Sequence, residues 1–143
     1  MSTIPWMQEL ELQSADLDDE HHALLEKLNN LLIALSQQDP NRIATACSDL
    51  SAEARAHFDS EEAQMRGAGY PDLEQHREQH EELEDALANL LLTINSGASF
   101  PAPASSHSFL ERWFVPHLTH ADRRVADFLA AKAAAAQGKP RSG

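Results

Sequence analysis

Between Leu17 and Leu35 the apolar residues return at steps of three and four: Leu17, Leu24, Leu25, Leu28, Leu31, Leu32 and Leu35, with His21 on the same stripe. That period fits the 3.6-residue turn of an α-helix and not the two-residue alternation of a strand, so the segment must fold as a helix with one buried face. The pattern recurs three times. A second stripe runs through Ile43, Ala46/Cys47, Leu50, Ala54, His57, Glu61 and Met65. A third follows Leu73, His76, His80, Leu83, Leu87, Leu90/Leu91 and Ile94, and a fourth Phe109/Leu110, Trp113/Phe114, His117/Leu118, Ala121/Asp122, Val125 and Phe128/Leu129. Composition agrees: 23 Ala and 19 Leu stand against ten Val, Ile and Thr together, too few strand formers for a sheet. With 143 residues, 42% of them hydrophobic, the chain can bury one core.

The ends of the helices are punctuated. Asp39 before Pro40 is a helix start, since Asp can accept from free amides and Pro at the first position gives up no hydrogen bond. Gly67-Ala68-Gly69-Tyr70-Pro71 forces a stop, and Gly97 another. The longest connection is 97–106, with Pro101 and Pro103. Four helices joined by mostly short links predict an all-α, up-down-up-down four-helix bundle. We expect a single domain with an N-terminal arm over about 1–17, in which Trp6 crosses the open end. The bundle should span about 18–132 and a fraying tail about 133–143. Pro116 should kink the fourth helix just before His117.

Charge narrows the partners. Eleven basic against 23 acidic residues give a net charge of −12, which repels nucleic acid and anionic membranes. The N-terminus has neither a basic start nor an apolar run, and no apolar stretch approaches a membrane span, so a chain without membrane attachment and without export is expected. One cysteine, Cys47, excludes an internal disulfide and suits a reducing compartment, the cytoplasm. With no evident exposed apolar face, a monomer is expected.

The anomaly lies inside the stripes. His21, His57, Glu61, His76, His80, His117 and Asp122 occupy positions where a bundle should be apolar, and buried ionisable groups are costly unless paired or metal-bound. One such His is ordinary; five with two carboxylates point to a shared metal site. His57 with Glu61 and His76 with His80 are i,i+4 pairs, each projecting from one helix face. His117 and Asp122 are five apart, which in a regular helix separates them by about 140°, on opposite sides of the inward arc. In an antiparallel bundle all seven fall in one half. They are too many donors for one tetrahedral zinc and suit two metals. If both carboxylates and one oxide or hydroxide bridge, two octahedra lack a single donor, leaving one open position. Imidazole and carboxylate ligands with an open position favour iron.

These residues carry a family resemblance. Leu17-Asp18-Asp19-Glu20-His21, His57 to Met65, Gly69-Tyr70-Pro71, His76 with His80, and Trp113-Phe114-Val115-Pro116-His117 with Asp122 resemble a bacterial hemerythrin from about Trp6 to Phe128. The resemblance implies a non-haem di-iron centre bridged by oxide or hydroxide. His76, His80 and His117 would serve one iron, His21 and His57 the other, and Glu61 and Asp122 would bridge. Dioxygen would bind reversibly at the open position of the two-His iron. The chain departs from the family pattern in Glu20, where Gln is usual, in Phe114, where Leu is common, and in Pro116 beside His117.

Leu24, Trp113, Phe114 and Leu118 sit one helical step from ligands and are candidate walls of the dioxygen pocket. His22, His107 and His120 are expected to be solvated, Cys47 to be a small core residue, Glu62 to turn outward, and the acidic runs 18–20 and 81–85 to be solvated faces. The leading function is oxygen storage, delivery or sensing, with a single domain favouring carriage. The alternative is a di-iron enzyme acting on peroxide or nitric oxide at the same open position.

Overall fold

The computed structural model describes residues 3–12, 15–96 and 104–137. The expected linker with Pro101 and Pro103, the His107 side chain and the chain beyond Gln137 lie outside them. Among the described residues the elements are helical: a 3-10 turn at Gln8–Leu10, α1 (Ala15–Gln37), α2 (Pro40–Ala68), α3 (Leu73–Ser96), α4 (Ala104–Pro116), a π-helical turn (His117–Asp122) and α5 (Arg123–Gln137). The last three are continuous and form the fourth helix of an up-down-up-down bundle. Helix α1 packs on α2 and α2 on α3; α4 closes against α1 and α3, and α5 against α2. Helix α1 starts before the expected Asp18, and the fourth helix runs past the expected end near Lys132.

Local chemistry sets the two tight reversals. At the first, Gln38 takes a left-handed conformation, and the Asp39 carboxylate then accepts from the amides of Asn41 and Arg42. At the second, Gly69 adopts φ 73°, cheap without a Cβ, so that its amide and that of Tyr70 reach back to the last carbonyls of α2.

The main core joins Leu24, Leu25, Leu28, Leu31, Leu32 and Leu35 of α1 to Ile43, Cys47, Leu50 and Phe58 of α2, Leu83, Leu87 and Leu90 of α3, and Leu110, Phe114 and Leu118 of the fourth helix. Cys47 is a core residue as expected: burial pushes its thiol up to about 11, and it donates to the Leu87 carbonyl. The N-terminal arm is tied down by polar contacts. Ile4 exchanges two hydrogen bonds with the Asn29 amide, the Leu12 amide donates to Asp18, and Trp6 stacks on His22 at 3.6 Å.

The expected kink at Pro116 takes another form. Its missing amide breaks the α-helical ladder, and the chain relaxes into a π turn over the next six residues. Side chains take up the displaced carbonyls: the Thr119 hydroxyl donates to Val115 and the His120 ring to Pro116.

Candidate functional site

The π turn decides the site. In a turn closed i→i+5, residues five apart stack one above the other, as residues four apart do in an α-helix. His117 and Asp122 therefore share one face, with Nε2 to Oδ1 at 3.0 Å. They do not reach in from opposite sides of the stripe, as a regular helix required.

All seven inward residues expected from the sequence meet there, none more than 4% exposed. They form two overlapping sets whose nitrogen and oxygen atoms lie within 4.8 Å of one another: His76, His80 and His117 with Glu61 and Asp122, and His21 and His57 with the same two carboxylates. Each carboxylate faces both ways. Glu61 turns Oε1 to His76 and His80, at 3.0 and 3.1 Å, and Oε2 to His57, at 4.0 Å. Asp122 turns Oδ1 to His76 and His117 and Oδ2 to His21, all at 3.0 Å.

Outer partners orient three of the rings. His57 Nδ1 donates to Glu20, His80 Nδ1 to Glu62 at 2.8 Å, and His117 Nδ1 to the Gln79 side chain at 2.7 Å. With the proton held outward on Nδ1, the Nε2 lone pair faces the cluster, which is how a ring is prepared to bind a metal. Glu62 thus does not turn outward as expected, nor is Glu20 simply part of a solvated face. Each lies about 100° round its helix from an inward residue, but a Glu side chain is long enough to reach the adjacent helix. Arg77 holds the other side of Glu62, with Nε to Oε1 at 3.6 Å. None of these three was expected from the sequence to orient a ring, although Glu20 stood out as a departure from the family pattern and each adjoins a site residue in the chain: Glu20 before His21, Glu62 after Glu61, Gln79 before His80. Aromatic rings pack the imidazoles further, Phe58 on His80 at 3.8 Å and Trp113 on His117 at 4.4 Å.

The arrangement calls for a cation. His21 Nε2, His57 Nε2, His80 Nε2, His117 Nε2, Glu61 Oε2 and both Asp122 oxygens are buried without an aligned hydrogen bond, even where nitrogen and oxygen approach to 3.0 Å. Lone pairs facing each other at that distance repel unless a positive charge lies between them, and two buried carboxylates need compensation. Without metal, protons supply it. Burial by itself would lower the His76 pKa, but Asp122 and Glu61 beside it raise it to about 9, and the His21 pKa rises through Asp122 in the same way. Burial would raise Asp122, but the neighbouring imidazoles of His117, His21 and His76 hold it well below the usual carboxylate range. Glu61 is lowered as well: His76, His80 and His57 outweigh burial and the Asp122 charge. The donor set fits two imidazole- and carboxylate-loving cations.

The other residues expected near the site divide. Leu24, Phe114 and Leu118 are buried in the main core beside the cluster, and Trp113 is half-buried. Two clefts nearest the site are lined instead by Trp113, His117 and Gln79, and by His76, Gln79 and Tyr70. His22 and His120 are exposed as expected.

A four-helix bundle with an internal cradle of five imidazoles and two shared carboxylates defines a cation-binding protein of the all-α class. The chain belongs to the hemerythrin HHE cation binding domain family, whose sequence profile matches residues 13–129. It is 25% identical over 127 residues to a bacteriohemerythrin of Stenotrophomonas maltophilia, covering 89% of this chain and 82% of that one. A bacteriohemerythrin of Ralstonia nicotianae is 27% identical over 130 residues, 91% of each. Among solved structures, wild-type hemerythrin superposes with a TM-score of 0.80 at 23% identity, over 90% of this chain and 99% of the other, a likeness of fold. No helix among the described residues is long and apolar enough to cross a membrane.

Proposed function

We propose that the chain holds two iron ions and binds dioxygen reversibly, for storage, delivery or sensing. The observation that carries this reading is the asymmetry of the two sets, three imidazoles against two around the same pair of carboxylates. His76, His80 and His117 would hold one ion, His21 and His57 the other, and Glu61 and Asp122 both, with an oxide or hydroxide completing the bridge. The two-His ion is one protein donor short, and that is where a small ligand has room. Iron supplies the electrons that reversible holding of dioxygen requires. The chain supplies the rest: Glu20, Glu62 and Gln79 fix the rings with Nε2 inward, and Leu24, Trp113, Phe114 and Leu118 are proposed to wall the ligand and keep water out.

The arm and bundle are proposed to act as one domain. Exposed large hydrophobic residues, among those described, are Ile33 and Leu92, which favours a monomer, and the free buried Cys47 suits the cytoplasm. Elemental analysis should find two irons per chain, and the reduced protein in a stopped-flow spectrometer should form an oxygenated species that reverts under vacuum. One iron or none would sink the site; consumption of peroxide or nitric oxide with turnover would make the protein an enzyme.

A further inference from the structure

A cleft of about 390 Å³ opens on the solvent side of His117, lined by Arg112, Trp113, Pro116, His117, His120 and Arg124 among others. Its charge is unlike that of the chain. Arg112 and Arg124 are exposed and form no ion pair among the described residues; the same holds for Arg55 and Arg66, but Arg112 and Arg124 line one cleft together. Glu82 is the one acidic residue in the lining. Two guanidinium groups at one mouth draw anions there against the repulsion of a chain of net charge −12. Guanidinium groups also match phosphate oxygens two at a time.

One wall of the cleft leads inward. The Trp113 indole lies against the His117 ring at 4.4 Å and 16°, and Gln79 holds both, accepting from the indole N–H through its carbonyl and from His117 Nδ1 through its side chain. On the far side of the ring, His117 Nε2 is 3.0 Å from Asp122. A donor in the cleft therefore stands one aromatic stack from the cluster, and the volume suits a small molecule.

We propose that this cleft docks small phosphate-bearing electron donors and passes their electrons along the Trp113–His117 stack. The proposal rests on the iron reading above. In each transfer the donor loses one electron and one ferric ion gains it, no bond is made or broken at the protein, and any proton the donor sheds goes to solvent.

Two measurements test it. In the metal-free Trp6→Phe variant, Trp113 is the sole indole. Its fluorescence should be quenched by iodide, and Arg112→Gln with Arg124→Gln should lower the iodide constant several-fold while leaving that of neutral acrylamide unchanged. An unchanged iodide constant, or equal changes in both, overturns the anion site. In the iron-loaded oxidised protein, photoreduced flavin mononucleotide should reduce the centre several-fold faster than photoreduced riboflavin, which has the same ring without the phosphate. That advantage should vanish at high salt and in the double variant, whose iron content should stay at the parent level. Equal rates, or faster riboflavin as global repulsion dictates, overturn the proposal. A chain that takes up no iron defeats the reading of the centre but leaves the iodide result standing as evidence for the cleft.

Discussion

The two halves of the bundle are stabilised differently. In one, Leu28, Leu31, Leu32 and Leu35 meet Ile43, Cys47, Leu50, Leu87 and Leu90, all buried hydrocarbon or thiol. In the other, five imidazoles and two carboxylates occupy equivalent inward positions at equal burial. The first half gains free energy simply by leaving water, at about 25 cal/mol per Å² of apolar surface. The second loses free energy by the same move until something positive enters it. One fold thus carries a half that needs nothing and a half that needs a cation.

The sharpest way to break this contrast is to truncate one buried residue in each half. Asp122→Ala removes the carboxylate whose oxygens face both imidazole sets, and it should cost the protein both irons. Leu31→Ala, fully buried in the apolar half, should cost about 2 to 5 kcal/mol of stability and leave the iron content intact. Iron analysis beside denaturant melts reads both; an Asp122→Ala protein that keeps two irons abolishes the distinction.

Stripping the metal comes next, and pH reveals it. In the bare chain the folded His76 pKa is raised from 6.5 to about 9. A raised imidazole pKa contributes stability that is fully present below the unfolded value and is lost as pH rises through the folded one. The bare protein should therefore lose melting temperature between about pH 6.5 and 9. The iron-loaded protein should behave oppositely, since its imidazoles must be deprotonated to bind and acid ejects the metal. A bare chain whose melting temperature holds steady up to pH 9 would show that the two carboxylates are not compensated by protons on the imidazoles.

Smaller effects are expected around the cluster. Glu62→Gln keeps an acceptor for His80 but removes the charge that draws its Nδ1 proton outward, and should weaken iron binding about tenfold, far less than Glu61→Gln. Chelator competition ranks the two, and equal losses would mean that outer and inner carboxylates are equivalent. The least effect on iron content belongs to Phe114→Ala. The ring is 2% exposed, so its loss should cost about 3 to 5 kcal/mol of stability with two irons retained. If Phe114 walls the ligand, autoxidation and the azide on-rate should both rise; no change in either would return Phe114 to ordinary core.

Much of this molecule was legible in the chain. The three-and-four periodicity specified four helices, Asp39-Pro40 and Gly69 marked their ends, and the seven inward polar residues were identifiable because each interrupts an apolar stripe. Such signals are local: a residue's face on its own helix depends on its near neighbours in sequence. What crosses between helices was not legible. The reach of Glu20 to His57, Glu62 to His80 and Gln79 to His117 depends on which helices pack together and at what rotation. Adjacent positions on a stripe's border look alike until that packing exists.

The π turn lies between the two cases. The five-residue spacing of His117 and Asp122 after a proline was visible, and in a regular helix it was a contradiction of about 140°. The sequence by itself determined that both residues were needed inside. Only the tertiary structure decided how: a π turn forgoes α-helical hydrogen bonding, and here Asp122 joins His21 on α1 and His76 on α3 while His117 joins Gln79 on α3, an energetic exchange that no window of local sequence contains.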